Sequence, residues 1–95
     1  MGLSTDKKVK VTGRSVEGDL EKKLRDSVFA ASARGNVPEI LIMRELDYYD
    51  LVNNIVPTSY AKGIKASSGR IIYYFGYRLR VILSMDLEEN EIIVK

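Results

Sequence analysis

The residues of this sequence best suited to chemistry are cations interleaved with tyrosines. Lys62 and Lys65 lie in the stretch 56–69, Arg70 follows it, and Tyr73, Tyr74, Arg78 and Arg80 come directly after. Lysine and arginine pair with phosphates, and tyrosine rings offer bases a surface to stack on. The same residues on neighbouring strands would also make a cation–π rim. Tyr73 and Tyr74 fall on opposite faces of a strand, so at least one is expected to be exposed. Two sets of carboxylates stand out beside them. Asp47 and Asp50, three apart on a helix, have the spacing of a metal-binding pair, but no third or fourth ligand is evident, so they read as surface charges. Asp86, Glu88, Glu89 and Glu91 make an acidic turn whose default is solvation and whose functional reading is a contact with a basic patch on a neighbouring copy.

Missing residue types narrow the chemistry further. The chain has no His, Cys or Trp. Histidine and cysteine supply nearly all zinc sites and the usual nucleophile–base pairs. A non-enzymatic protein is therefore expected, with no catalytic residue, cofactor or metal. A carboxylate–magnesium site or a Lys- or Tyr-based mechanism is the enzymatic alternative. The glycines of 56–69 do not form a phosphate-binding Walker loop, because no Gly-Lys-Ser/Thr follows a buried strand and opens a helix. No apolar run approaches the roughly 20 residues that span a bilayer, and no signal peptide precedes the fold. The absence of cysteine fits a reducing compartment. A net charge of +2 does not demand a nucleic-acid partner.

The elements that must position these groups are legible in the periodicity. Residues 1–6 are small and polar and read as a flexible N-terminus, with one α+β domain over 7–95. Lys7–Thr12 alternates Lys8, Lys10 and Thr12 against Val9 and Val11, as in a short edge strand guarded by lysines. A helix capped by Ser15 and ended by Gly35 carries Leu20, Leu24, Val28 and Ala31 as its apolar stripe, widened by Phe29. Glu39–Met43 reads as a central strand buried on both faces. A second helix runs from about Glu45 to Ile55, with Tyr48, Leu51, Val52 and Ile55 on one face and Asp47 and Asp50 pointing away. Residues 56–69 read as an irregular loop, rich in Pro, Gly, Ser and Thr. Ile71–Phe75, Tyr77–Met85 and Glu91–Lys95 are strands punctuated by Gly76 and the turn 86–90. In the middle one Leu79, Val81 and Leu83 face one way, Arg78 and Arg80 the other.

This succession of helix, buried strand, helix, long loop, hairpin and final strand resembles the axial domain of the major capsid proteins of tailed bacteriophages. The pieces that carry the resemblance are Leu20–Gly35, Ile40–Met43 followed by Tyr48 and Leu51, and the run from Gly76 to Val94. That run stands where the family reads, loosely, Gly-x-Pro-Val-x-x-Ser-x-x-Leu-x-x-x-x-Ile-x-Val. The family usually has Asn or Ser then Pro where this chain has Arg44 and Glu45, and often Pro where it has Leu79 or Arg80. The chain's 95 residues leave no room for the family's long spine helix, extended loop and N-terminal arm. The resemblance therefore implies a small virion-associated protein, or a phage protein that reuses the domain.

The expected architecture is a mixed sheet of about four or five strands packed by two helices, with the C-terminal hairpin as its antiparallel part. The expected function is a phage or phage-like structural or accessory protein acting through protein–protein contacts as a homo-oligomer. Its location would be the virion or host cytoplasm, and sheet extension at Lys7–Thr12 or Glu91–Lys95 would supply the contacts. The alternative is a small nucleic-acid-binding or regulatory protein using Lys62, Lys65, Arg70, Arg78 and Arg80 on phosphates and Tyr73 or Tyr74 on bases.

Overall fold

The computed structural model describes residues 18–58 and 63–95. The expected edge strand at Lys7–Thr12, the cap at Ser15 and the cation Lys62 lie outside these residues. Helix α1 spans Asp19–Ala33 and starts from Gly18, whose extended backbone accepts the amide of Lys22 at 2.9 Å. Asp19 and Glu21 sit in its first turn, where the exposed N–H groups favour negative charge. It ends as its sequence predicts. Gly35 takes a φ of 85°, the Gly35 amide donates to Ser32 and the Asn36 amide to Ala31, so the last carbonyls are satisfied by a left-handed cap. Leu20, Leu24, Val28 and Ala31 are buried as one stripe. Phe29 does not widen that stripe: it is exposed, one position beyond the buried Val28 and turned to solvent.

Strand β1 (Ile40–Met43) leads through Arg44 into helix α2 (Glu45–Asp50), which continues as a π turn over Leu51–Ile55 and a 3-10 turn over Val56–Thr58. The widened turn keeps Leu51 and Ile55 on the buried side. Thr58 Oγ1 donates to the carbonyls of Asn54 and Ile55 and closes the segment. With strands β2 (Ile64–Ser67), β3 (Ile71–Tyr74), β4 (Tyr77–Leu83) and β5 (Ile92–Val94), the described residues form a five-stranded sheet in the order β2-β3-β4-β1-β5. The β1–β4 pair is parallel and the other three are antiparallel. The chain thus folds as a single α+β domain with two helices and a mixed sheet.

Strand β2 corrects the reading of 56–69 as irregular throughout. Its only buried residue is Ile64, so it carries little periodic signal, and its backbone pairing with β3 is what makes it a strand. The turns flanking β3 both use left-handed backbone: Gly69 and Arg70 on one side, Phe75 and Gly76 on the other. A two-residue hairpin with positive φ at both positions matches the right-handed twist of its strands. Phe75 is a costly residue there, and its ring is held edge-on against Tyr74 with centroids 4.8 Å apart. The Phe75 amide donates to the carbonyl of Gly63 at 2.6 Å, and the ring occupies the space where a side chain on Gly63 would stand. Gly63→Ala therefore forces the exposed Phe75 ring to move and is expected to cost about 1 kcal/mol, the low end for overpacking, read as a lower urea midpoint with an unchanged slope.

Among the described residues the buried apolar side chains, Pro38 and Ile71 apart, belong to one cluster. Leu41 and Met43 of β1, Ile72 and Tyr74 of β3, Leu79 and Val81 of β4 and Ile92 and Val94 of β5 meet the α1 stripe, Leu51 and Ile55. They are the alternate positions of each strand, so both helices cover the same face of the sheet. Ser32 Oγ and the Tyr77 hydroxyl, 3.2 Å apart, tie the end of α1 to β4. No helix among the described residues is long and apolar enough to cross a membrane.

Candidate interaction surface

The other face of the sheet is built from the remaining alternate positions. The register sets them in rows. Lys65, Tyr73 and Arg78 are neighbours across β2, β3 and β4. Ser67, Ile71, Arg80 and Ile40 make the next row, across β2, β3, β4 and β1. Ile82, Ile42 and Ile93 make the third, across β4, β1 and β5. Lys95 continues the alternation beyond β5, and its backbone exchanges two hydrogen bonds with Ile40, both 2.9 Å. The result is a field of aliphatic side chains with Lys65, Arg78 and Lys95 around it and Arg80 between Ile71 and Ile40. No strand position on this face carries a carboxylate.

Exposure distinguishes the two faces except at Ile71, which lies on the open face but is only 8% exposed. Tyr73, Ile82 and Ile93 are 39%, 38% and 37% exposed, whereas Tyr74, one residue from Tyr73, is 4% exposed. The expectation that at least one tyrosine is exposed therefore settles on Tyr73. Tyr74 is a core residue, packed with Ile72 and Leu79 beneath the helices, and is withdrawn from any partner-binding role. Lys65, Arg78 and Arg80 share the open face with Tyr73. Arg70 stands at its end, in the β2–β3 turn, where a shallow hollow is lined by Tyr48, Ser67, Ser68, Arg70 and Arg80. Strand β1 is correspondingly buried on one face and half-buried on the other, not sealed on both.

The isoleucines were the part of this surface that residue type alone did not single out. The signal was present in β4, where Ile82 continues the outward alternation of Arg78 and Arg80. In β1 and β5 the continuous apolar runs conceal which alternate residues lie outward.

The carboxylates divide differently from expectation. Asp47 does not point away: it is 4% exposed. Its Oδ1 accepts from Arg44 Nη2 at 3.1 Å and its Oδ2 from the Asn90 amide at 2.7 Å. It thus clasps the loop before β5 to the first turn of α2. Asn90 has a φ of 63°, a left-handed conformation that asparagine tolerates better than most residues. Asp50 is exposed and accepts from Asn54 Nδ2 at 2.7 Å, so the two aspartates serve separate local partners. Tyr49, exposed on α2, donates to Glu45 Oε2 at 3.1 Å, and that hydrogen bond raises the phenol's pKa. Compared with known proteins, the chain matches no family model, no curated protein and no solved structure.

Proposed function

We propose that this chain is a non-enzymatic module that works through protein–protein contacts made by the open face of its sheet. Its role would be structural or accessory, of the phage or phage-like kind that the resemblance to capsid axial domains implies. The supporting observation is the one-sided sheet. Four partly exposed isoleucines, Ile40, Ile42, Ile82 and Ile93, lie on the face opposite the helices, with Arg80 beside Ile40 and Lys65, Arg78 and Lys95 around them; Ile71 shares the face but is buried. Exposed apolar patches rimmed by polar groups mark interaction sites. Branched aliphatic side chains bury well against another protein but offer no π-face to a base.

A photo-crosslinking amino acid at Ile82 tests the reading in an extract of cells that carry the gene, with the same group at Ala33, exposed at the far end of α1, as control. The expected result is a protein adduct at position 82 and none at 33. Equal labelling at both positions, or none at 82, would sink the proposal.

One row favours the second reading. Lys65, Tyr73 and Arg78 stand side by side, as cations and a stacking ring would for a single strand of nucleic acid. That reading requires affinity that falls steeply with salt and is lost in Arg78→Glu with Arg80→Glu.

A further inference from the structure

We infer that the occupant of the open face is the acidic loop 85–91 of a second copy of this chain, docked head to tail. The inference rests on the reading above and names the partner. The loop has the complementary chemistry. Met85 is 98% exposed at its start, and the exposed carboxylates Asp86, Glu88, Glu89 and Glu91 follow it in the chain. An unbranched, adaptable thioether flanked by carboxylates matches an isoleucine field flanked by Arg78, Arg80, Lys65 and Lys95. Within the described residues no ion pair ties Asp86, Glu88 or Glu89 to a cation of its own chain.

The loop's position excludes an internal contact. It is fastened to the helix side of the sheet by the Asn90–Asp47 bond, and Glu88–Glu91 line a hollow with Asp19, Lys22, Lys23 and Asp26 of α1. A molecule thus presents its acidic, Met-tipped loop with the helix layer and its cationic apolar face on the opposite side. Two open faces meeting in a symmetric pair would bring two sets of cations into one interface with no strand carboxylate to offset them, which costs energy. The chain's own segment 1–17 is a poorer occupant, because it carries Lys7, Lys8, Lys10 and Arg14 against only Asp6 and Glu17.

A contact between two different surfaces of the same chain closes into a ring or runs on as a filament, according to the rotation between copies. Its strength is bounded by size. Five strands at about 4.8 Å spacing give a face about 20 Å wide. That is small for a stable interface, so association with a Kd of about 10 µM or weaker is expected.

Light scattering after size exclusion, over about a hundredfold range of concentration reaching several times that Kd, reads the association directly. The average mass of the wild type should rise with concentration and fall as salt is added. Arg78→Glu with Arg80→Glu, and separately Glu88→Lys with Glu89→Lys, should each weaken association by about tenfold or more. An equimolar mixture of the two variants should recover it, because the reversed loop of one then meets the reversed face of the other. All four side chains are exposed, so both variants should melt with the wild type.

The absence of cysteine allows an independent measurement. Met85→Cys protein mixed with Ile82→Cys protein should form a mixed disulfide under mild oxidation faster than either variant forms one alone. A wild type that remains monomeric throughout, or two variants that associate as it does, would overturn the inference. So would loss confined to the face variant, which would show a different occupant. The reading of the face as a protein-binding surface survives those results if the position-82 adduct forms with another protein, and fails if no protein adduct forms there or if the control position labels equally.

Discussion

Replacing Asp47 by alanine is expected to remove about 3 kcal/mol of folding free energy, the low end of the cost of breaking a buried charge pair. The low end applies because the Arg44 side chain is 30% exposed and water will screen what is left. The carboxylate is nonetheless the joint between parts of the chain 43 residues apart: it binds Arg44 beside it and the Asn90 amide across the fold. Its removal leaves the Asn90 N–H without its acceptor in a loop that holds a left-handed backbone. It also leaves Arg44, whose buried Nε already has no hydrogen-bond partner, without its ion pair. For a domain of this size each kcal/mol lowers Tm by roughly 4–8 °C, so a fall of more than about 10 °C is the expected measurement. Asp47→Asn keeps one oxygen for the Asn90 amide while losing the charge, and should fall between the two. An alanine variant melting within about 2 °C of the wild type would show that the loop is held by something else.

Leu41→Ala and Ile42→Ala should differ severalfold although the residues are adjacent in the interior strand β1. Leu41 has no exposed surface and sits between Val81 and Val94 under the helices. Truncating it removes buried methyl groups and leaves a cavity that close-packed neighbours fill only partly, a loss of about 2–5 kcal/mol. Ile42 lies on the open face between Ile82 and Ile93, half-buried by those neighbours alone. Its truncation should cost about 1 kcal/mol or less, because water reaches the site and no closed cavity forms. Urea unfolding of both variants measures the contrast. Equal losses would mean that the second face is covered in the folded protein, and would remove the surface on which the functional reading depends.

Much of this architecture was legible in local pattern. Spacings of four and three placed the α1 stripe from Leu20 to Ala31, and Gly35 marked its end because a left-handed cap needs a residue without a Cβ penalty. Strict alternation in β4 assigned Leu79 and Val81 inward and Arg78 and Arg80 outward. Both are properties of the chain within a few residues of itself, which is why they survive without knowledge of the fold. The candidate surface was legible in the same measure: its cations and Tyr73 stood out by type, and four of the seven expected residues share the open face.

What the tertiary structure alone decided depends on neighbours distant in sequence. Strand β2 exists because β3 supplies a hydrogen-bonding edge, not because its own residues alternate. Asp47 is buried because the loop at Asn90 returns to it, and nothing near Asp47 in the chain foretells that. The faces of Ile42 and Ile93 follow from which side of the sheet receives the helices. An apolar run such as Ile40–Met43 is compatible with burial on either side or both. Once α1 and α2 lie on the same side, burial there leaves the alternate isoleucines outward, and an ordinary apolar strand becomes part of a surface.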